Sequence, residues 1–383
     1  MADPWFATHA AGFGPLVSRL MTRDLPGFVP RRSDDNAILF SAEAEPRAVL
    51  AYCRSLFRVR GDEPGGLERA ARVFAKATTH ASPRPSASSG ARNHGPSTFV
   101  LRAFGPDDPA SLPLEVRRGL ESAIAAVTGL RPDSARPDRE FRVQERADGR
   151  TLFLERWASA PDAAALRDGD RPGELPHTTC RLLAEMTAPQ PDDIFMDPFC
   201  GYGGIPLERA LASPYHFVFA SDSDAEKLAA VKESLSAKPF ERRRRTIFPK
   251  VRDALDSSGF DSGFVTAIAT DPPWGLYEGG MDALDAQTLL KSFLVDAARL
   301  LAPGGRLVLL VARGAAVDPG SDFIPRERLD VLVSGKKSRL QICRLVSLDR
   351  LCIRGRGLHL LTPRQFLPLP QRTRDIITSV HLM

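Results

Sequence analysis

The stretch Ile194-Phe195-Met196-Asp197-Pro198-Phe199-Cys200-Gly201-Tyr202-Gly203-Gly204-Ile205-Pro206-Leu207-Glu208 constrains this chain more than any other. An apolar run ends on an acid, meets a glycine-rich turn and restarts as a helix. Glycine takes positive φ without steric cost and lets backbone N–H groups come close to a ligand, while the helix that follows aims the positive end of its dipole at the same point. The pattern reads as a nucleotide-type binding loop at the end of a buried strand. Two common loops of that kind do not fit. A dinucleotide-binding G-x-G-x-x-G needs glycine where the chain has Pro206, and a P-loop needs a Gly-Lys-Ser/Thr that is absent.

A second stretch, Thr270-Asp271-Pro272-Pro273-Trp274-Gly275, directly follows the apolar run Phe264 to Ala269. It therefore also sits at the C-terminal end of a strand, the edge at which open α/β sheets bind ligands. With the two rival loops set aside, S-adenosylmethionine remains as the ligand of the pair. The chemistry of the second stretch follows from its atoms. An exocyclic base amine has its lone pair delocalised into the ring and becomes nucleophilic only when its hydrogens are bonded out of that plane. Two acceptors are needed, and the Asp271 carboxylate and Pro272 carbonyl supply them, held toward one point by a Pro-Pro step that limits the backbone. Trp274 offers a stacking face to a base taken out of its helix, a contact that any base can make. Together the two stretches resemble motifs I and IV of class I methyltransferases that modify exocyclic amino groups.

That resemblance assigns roles. Asp197 and the backbone after it, through Pro198 and Cys200, hold the methionine end of the cofactor, and Gly201, Gly203 and Gly204 form the turn. The family usually has Ser or Thr where this chain has Tyr202 and Gly204, so backbone contacts stand in for hydroxyls. After the strand His216 to Ala220 comes Ser221-Asp222-Ser223-Asp224-Ala225-Glu226. Ser223 and Glu226 fit the S-x-x-E capping box, which makes Ser223 the N-cap, puts Asp224 in the first turn and leaves Asp222 free to accept ribose hydroxyls. Asp253, after Lys250-Val251-Arg252, stands where the family places an acid that reads the adenine amino group. Asp271, Pro272, Pro273 and Trp274 form the expected catalytic set, with Asp271 also bordering the cofactor. No metal is expected.

Ahead of these motifs the chain has its own organisation. Trp5-Phe6-Ala7-Thr8 and Ala37-Ile38-Leu39-Phe40 read as strands, with a helix through Leu16, Val17 and Leu20 between them. Val49, Leu50, Cys53, Leu56 and Phe57 fall on one helical stripe. A further helix runs from Leu67 to about Ala77, and a Ser/Pro/Gly/Ala/His-rich stretch without periodicity follows. Val116, Leu120, Ala123, Ile124 and Val127 share another helical face, and Asp148-Gly149 joins two alternating runs as a hairpin. The whole arrangement resembles the THUMP-domain methyltransferases, with Pro137 to Val143 similar to a late THUMP strand and Gly173 to Thr178 similar to the approach to the catalytic domain. Thr178 joins the cofactor set on that basis.

The expected fold is thus α/β: a Rossmann-like class I methyltransferase sheet preceded by an α+β ferredoxin-like and THUMP-like region. The expected domains are 1–77 (ferredoxin-like), 78–97 (disordered linker or insertion), 98–160 (THUMP-like) and 174–365 (catalytic). The family resemblance implies an S-adenosylmethionine-dependent RNA methyltransferase forming N2-methylguanosine, most plausibly in tRNA. An adenine-N6 or cytosine-N4 methyltransferase suits the same Asp-Pro-Pro-Trp, and a non-catalytic RNA-binding protein with a relic cofactor site stands as the alternative from another class. The run Arg242-Arg243-Arg244-Arg245 can grip phosphates bidentately, and the net charge of +5 agrees with an anionic partner. Some relatives use a small zinc-ribbon activator subunit. The five cysteines lack C-x-x-C spacing and suggest neither disulfides nor zinc. No apolar run is long enough for a membrane span and the N-terminus lacks a signal core, so a cytoplasmic protein is expected.

Overall fold

The computed structural model describes residues 4–347 except 44, 47–49, 80–96, 107, 160–170, 172, 237, 276–280, 313–314, 316, 319 and 334–338. The linker expected at 78–97 lies almost wholly outside the described residues, as does the chain beyond 347. Two units emerge, one of Met1–His9 with Gly14–Asp162 and one of Ala10–Phe13 with Ala163–Met383.

The first unit runs β1 (Trp5–Thr8), α1 (Gly14–Asp24), β2 (Val29–Ser33), β3 (Ala37–Ser41), β4 (Ser55–Pro64), α2 (Leu67–Thr79), β5 (Thr98–Phe104), β6 (Pro109–Ala110), α3 (Leu114–Thr128), β7 (Arg131–Pro132), β8 (Arg139–Glu145) and β9 (Arg150–Ser159). One sheet in the order β2-β3-β1-β4-β9-β8-β5-β6, with β7 on β5, passes through both stretches expected as separate units. The join is β4 against β9, antiparallel from Ser55↔Ser159 to Pro64↔Arg150. Helices α2 and α3 supply Ala70, Phe74, Leu120 and Ile124 to a core that they share with Phe99, Phe141 and Phe153 of the sheet.

The helical stripe read through Leu56 and Phe57 is corrected here. Those residues belong to β4, a central strand paired to β1 on one side and β9 on the other. A strand covered on both faces shows adjacent apolar residues that also fit a helical stripe, and Arg58-Val59-Arg60 carries the alternation that distinguishes the two. Strand β2 has no counterpart in the pattern because it is an exposed edge strand that tolerates Pro30.

The second unit runs α4 (His177–Met186), β10 (Ile194–Asp197), α5 (Gly204–Ala212), β11 (Phe217–Asp222), α6 (Ala225–Ser236), β12 (Ile247–Val251), β13 (Val265–Thr270), α7 (Ala283–Leu300), β14 (Leu301–Ala312), β15 (Phe323–Leu332) and β16 (Arg339–Ser347). The sheet order is β12-β11-β10-β13-β14-β16-β15. Strands β10 to β14 are parallel, whereas β16 lies antiparallel between β14 and β15. The order reverses at β10, which pairs with β11 on one side and with β13 on the other. The chain therefore leaves β10 and β13 in opposite directions and opens a crevice at their C-terminal ends. Both motifs stand at that crevice.

Candidate active site

Asp197 ends β10 with no exposed surface. Its Oδ1 accepts from the Thr270 hydroxyl at 2.6 Å and from the Phe199 N–H at 3.2 Å. Its Oδ2 is buried without a hydrogen-bond partner. Burial pushes this carboxyl up to about 7, against the two bonds that stabilise its ionised form and with the charge of Asp222 adding to the rise. A buried carboxylate oxygen without a donor is costly, so the position is built for a group that brings one. The ammonium of a methionine moiety is such a donor.

Beyond Asp197 the glycine loop satisfies its own backbone. Cys200 N–H donates to the Ser221 carbonyl at 2.9 Å, Gly201 N–H to Asp222 Oδ2 at 2.8 Å and Gly203 N–H to the Cys200 carbonyl at 2.8 Å. Asp222 is thus not left free at its strand tip: Oδ1 accepts the Asp224 N–H at 2.9 Å as well. A carboxylate has about four acceptor sites, so two backbone bonds orient Asp222 and leave capacity for hydroxyls. The expected cap is also corrected. Helix α6 starts at Ala225, and Asp224 Oδ1 accepts from Glu226 N–H at 2.9 Å and Lys227 N–H at 3.3 Å, so Asp224 and not Ser223 is the N-cap.

Gly203 takes φ of 87° at the head of α5, where a Cβ would stand 2.9 Å from Val231 Cγ2. At Gly204 a Cβ would stand 2.6 Å from the Cys180 Sγ of α4. A side chain at this position has no room, because Cys180 of α4 fills the space. Burial pushes the Cys180 thiol well above its ordinary range, with Glu208, Asp271 and Asp197 adding to the effect, so the thiol is a packing group near the acids. Thr178 is buried in the first turn of the same helix. Pro198 is buried behind the loop, and the Cys200 side chain packs with Ala220, Leu228 and Val231, leaving only its backbone toward the turn.

Asp271 is the first residue beyond β13. The Trp274 indole N–H donates to its Oδ1 at 2.9 Å, so the ring expected as a stacking plate is tied to the carboxylate. Gly275 returns the chain at φ of 67°, and a Cβ there would meet the Asp282 carbonyl oxygen at 2.3 Å. Asp282 in turn caps α7, accepting from the Leu284 and Asp285 N–H groups at 2.8 Å. Pro272, Pro273 and Trp274 then face Gln287 and Leu290 of α7 and Val311 of β14 around a cavity of about 250 Å³.

The structure therefore brings Asp197, Asp222 and Asp271 to one sheet edge. Asp253 follows β12 at the same edge, exposed, with its Oδ1 accepting the Leu255 N–H at 2.9 Å. Arg242 to Arg245 precede β12 and lie at the opposite edge, roughly 16 Å away along a five-residue strand. The sequence reading missed Thr270 and Cys180. Thr270 opens the second stretch but received no role, and Cys180 carries no motif signal, since each acts only through a partner distant in the chain. Among the described residues no group of three His, Cys, Asp or Glu side chains is arranged to hold a metal ion.

A parallel sheet with an antiparallel last pair, an acid and glycine turn after its first strand and Asp-Pro-Pro after its fourth define a class I methyltransferase. Residues 165–318 match the family described as UPF0020: RMKL-like, methyltransferase domain. The chain is 31% identical over 290 residues to the tRNA (guanine(6)-N2)-methyltransferase of Thermus thermophilus, covering 71% of this chain and 77% of that protein. It is 28% identical over 138 residues to the tRNA (guanine(10)-N2)-dimethyltransferase of Methanothermobacter thermautotrophicus, covering 36% of this chain and 38% of that one. The crystal structure of TrmN from Thermus thermophilus superimposes with a TM-score of 0.69 at 23% identity, over 90% of this chain and 100% of that one. The chain belongs to the tRNA (guanine-N2)-methyltransferase family.

Proposed function

We propose that this protein transfers the methyl group of S-adenosylmethionine to the exocyclic N2 of a guanosine in tRNA. The observation that carries the reading is the 2.6 Å bond from Thr270 to Asp197, which fastens the strand ending in the cofactor acid to the strand that leads into Asp271. Asp197 holds the methionine end through its unpartnered buried oxygen, Asp222 the ribose and Asp253 the adenine. The bound cofactor supplies an electrophilic methyl on a sulfonium. The Asp271 carboxylate and the Pro272 carbonyl accept the two amine hydrogens, drawing the nitrogen lone pair out of conjugation and toward the methyl. Methylation would leave positive charge on the amine, and Asp271 would accept the proton that the amine then releases. Pro273 and Trp274 wall the base.

Residues 1–160 act as the RNA-capturing unit, a reading supported by the separation of nearly all of this stretch from the catalytic residues as a compact unit of its own. The arginines Arg242 to Arg245 assist through phosphates at a distance from the reaction. Among the described residues no helix is long and apolar enough to cross a membrane.

Total RNA from cells lacking the protein, incubated with enzyme and cofactor and digested to nucleosides for mass spectrometry, should gain N2-methylguanosine. Asp271→Ala should still bind cofactor by calorimetry and transfer no methyl. Appearance of N6-methyladenosine or N4-methylcytidine moves the assignment to another base amine. Absence of product even with a zinc-ribbon partner, together with no cofactor binding, leaves the relic reading.

A further inference from the structure

The bond between Trp274 and Asp271 has a chemical consequence that the motif letters do not carry. The Asp271 carboxylate turns about its terminal torsion, which for aspartate is a broad two-fold well that backbone placement alone does not fix. Methyl transfer to an amine depends on the direction from which the carboxylate accepts a hydrogen, because the lone pair must be aimed at the methyl along one line. The indole N–H at 2.9 Å from Oδ1 sets the plane of that carboxylate. Phenylalanine has no donor for this purpose, and tyrosine carries its hydroxyl at the tip of the ring, farther from the backbone than the indole nitrogen. The same ring is a wall of the 250 Å³ cavity beside Pro272 and Pro273. Its position is further fixed by the turn at Gly275, which leaves no room for a Cβ against Asp282.

We propose that Trp274 is a positioning residue for Asp271: its indole N–H locks the carboxylate that receives the amine, so the wall that seats the base and the acceptor that activates it form one rigid piece. This rests on the methyl-transfer reading above. A stacking plate alone contributes to holding the base and shows in KM, whereas a lock on the acceptor shows in kcat.

The test is Trp274→Phe, which keeps an aromatic face and removes the donor. Loss of a charge-assisted hydrogen bond predicts kcat lower by roughly 10- to 100-fold, with KM for RNA within about threefold and cofactor affinity unchanged. A kcat within twofold of the wild type, or a raised KM at unchanged kcat, overturns the proposal. A second measurement is independent of activity. The protein has three tryptophans, Trp5, Trp157 and Trp274. In a spectrum of nitrogen-15-labelled indoles, the peak lost in Trp274→Phe should move and exchange faster with solvent in Asp271→Ala, while the other two stay in place. An unmoved peak means that the lock does not exist in solution. If the wild type forms no methylated guanosine the functional reading falls, and the spectrum still decides the lock.

Discussion

The two ends of β10 carry aspartates four residues apart, and the structure treats them oppositely. Asp193, just before the strand, accepts from the Thr266 hydroxyl at 2.8 Å, from the Gln190 N–H at 2.8 Å and from the buried Arg209 at 2.9 Å, and it also pairs with Arg306. Burial alone would raise its carboxyl, but the Gln190 N–H and the two arginines more than offset this and hold it below the usual carboxylate range. Asp197, at the other end, has an equivalent threonine from β13 in Thr270 and no cation among its hydrogen-bond partners. Its carboxyl is pushed up to about 7, first by burial. The lower acid is complete and serves the fold; the upper acid keeps an oxygen without a donor, which is what the proposed cofactor role requires. What distinguishes them is the set of donors that other elements bring, since residue type, burial and threonine partner are shared.

The comparison is broken most directly at the lower end. Asp193→Ala leaves Arg209 buried without its charge partner and should cost roughly 3 to 5 kcal/mol in urea denaturation. Asp197→Ala removes a buried oxygen that has no donor but also takes the acceptor from the Thr270 hydroxyl and the Phe199 N–H, and should cost less, about 1 to 3 kcal/mol. Equal losses in the two variants would erase the distinction.

At the upper end the effect is on binding and on its pH dependence. Asp197→Ala should weaken cofactor affinity by roughly 1.5 to 3 kcal/mol, read by calorimetry at pH 8. Because the folded carboxyl holds its proton up to about pH 7, well above an unfolded aspartate, its contribution to stability is full below the ordinary carboxylate range and is lost as pH rises through about 7. Cofactor binding needs the ionised form, so affinity should rise with pH up to about 7 and then level. Asp197→Asn should flatten both profiles. Asp193 has the opposite sign: its depressed carboxyl contributes stability above the unfolded value, and this is lost as pH falls through the folded one.

The smallest expected effect lies beside the upper acid. Gly204→Ala forces a methyl against Cys180 Sγ and should cost roughly 1 to 3 kcal/mol, relieved when combined with Cys180→Ala. Thermal melts of the two single variants and the double variant give the coupling, and simple additivity would show that the contact does not explain the glycine.

What the sequence by itself determined is local. The run into Asp197, the turn through Gly201 and Gly203, the placement of Asp271 directly after a strand and the Asp148-Gly149 hairpin all follow from apolar patterning and glycine freedom over a few residues, and all stand in the structure. The helical stripe through Leu56 and Phe57 failed because a strand buried on both faces loses its period-two signature: these neighbours point to opposite faces of β4 and both are buried. The Ser223 cap failed because two acceptable caps stood side by side. Only the tertiary structure decided that Asp193 is filled and Asp197 waits, since Thr266, Thr270 and Arg306 lie more than 70 residues away in sequence. It alone decided that Asp222 braces Gly201, that Cys180 occupies the space over Gly204 and that the arginine run stands at the far edge of the sheet. Side-chain chemistry is written residue by residue, but whether an acid is satisfied depends on which donors the packing of distant strands and helices brings within hydrogen-bond reach.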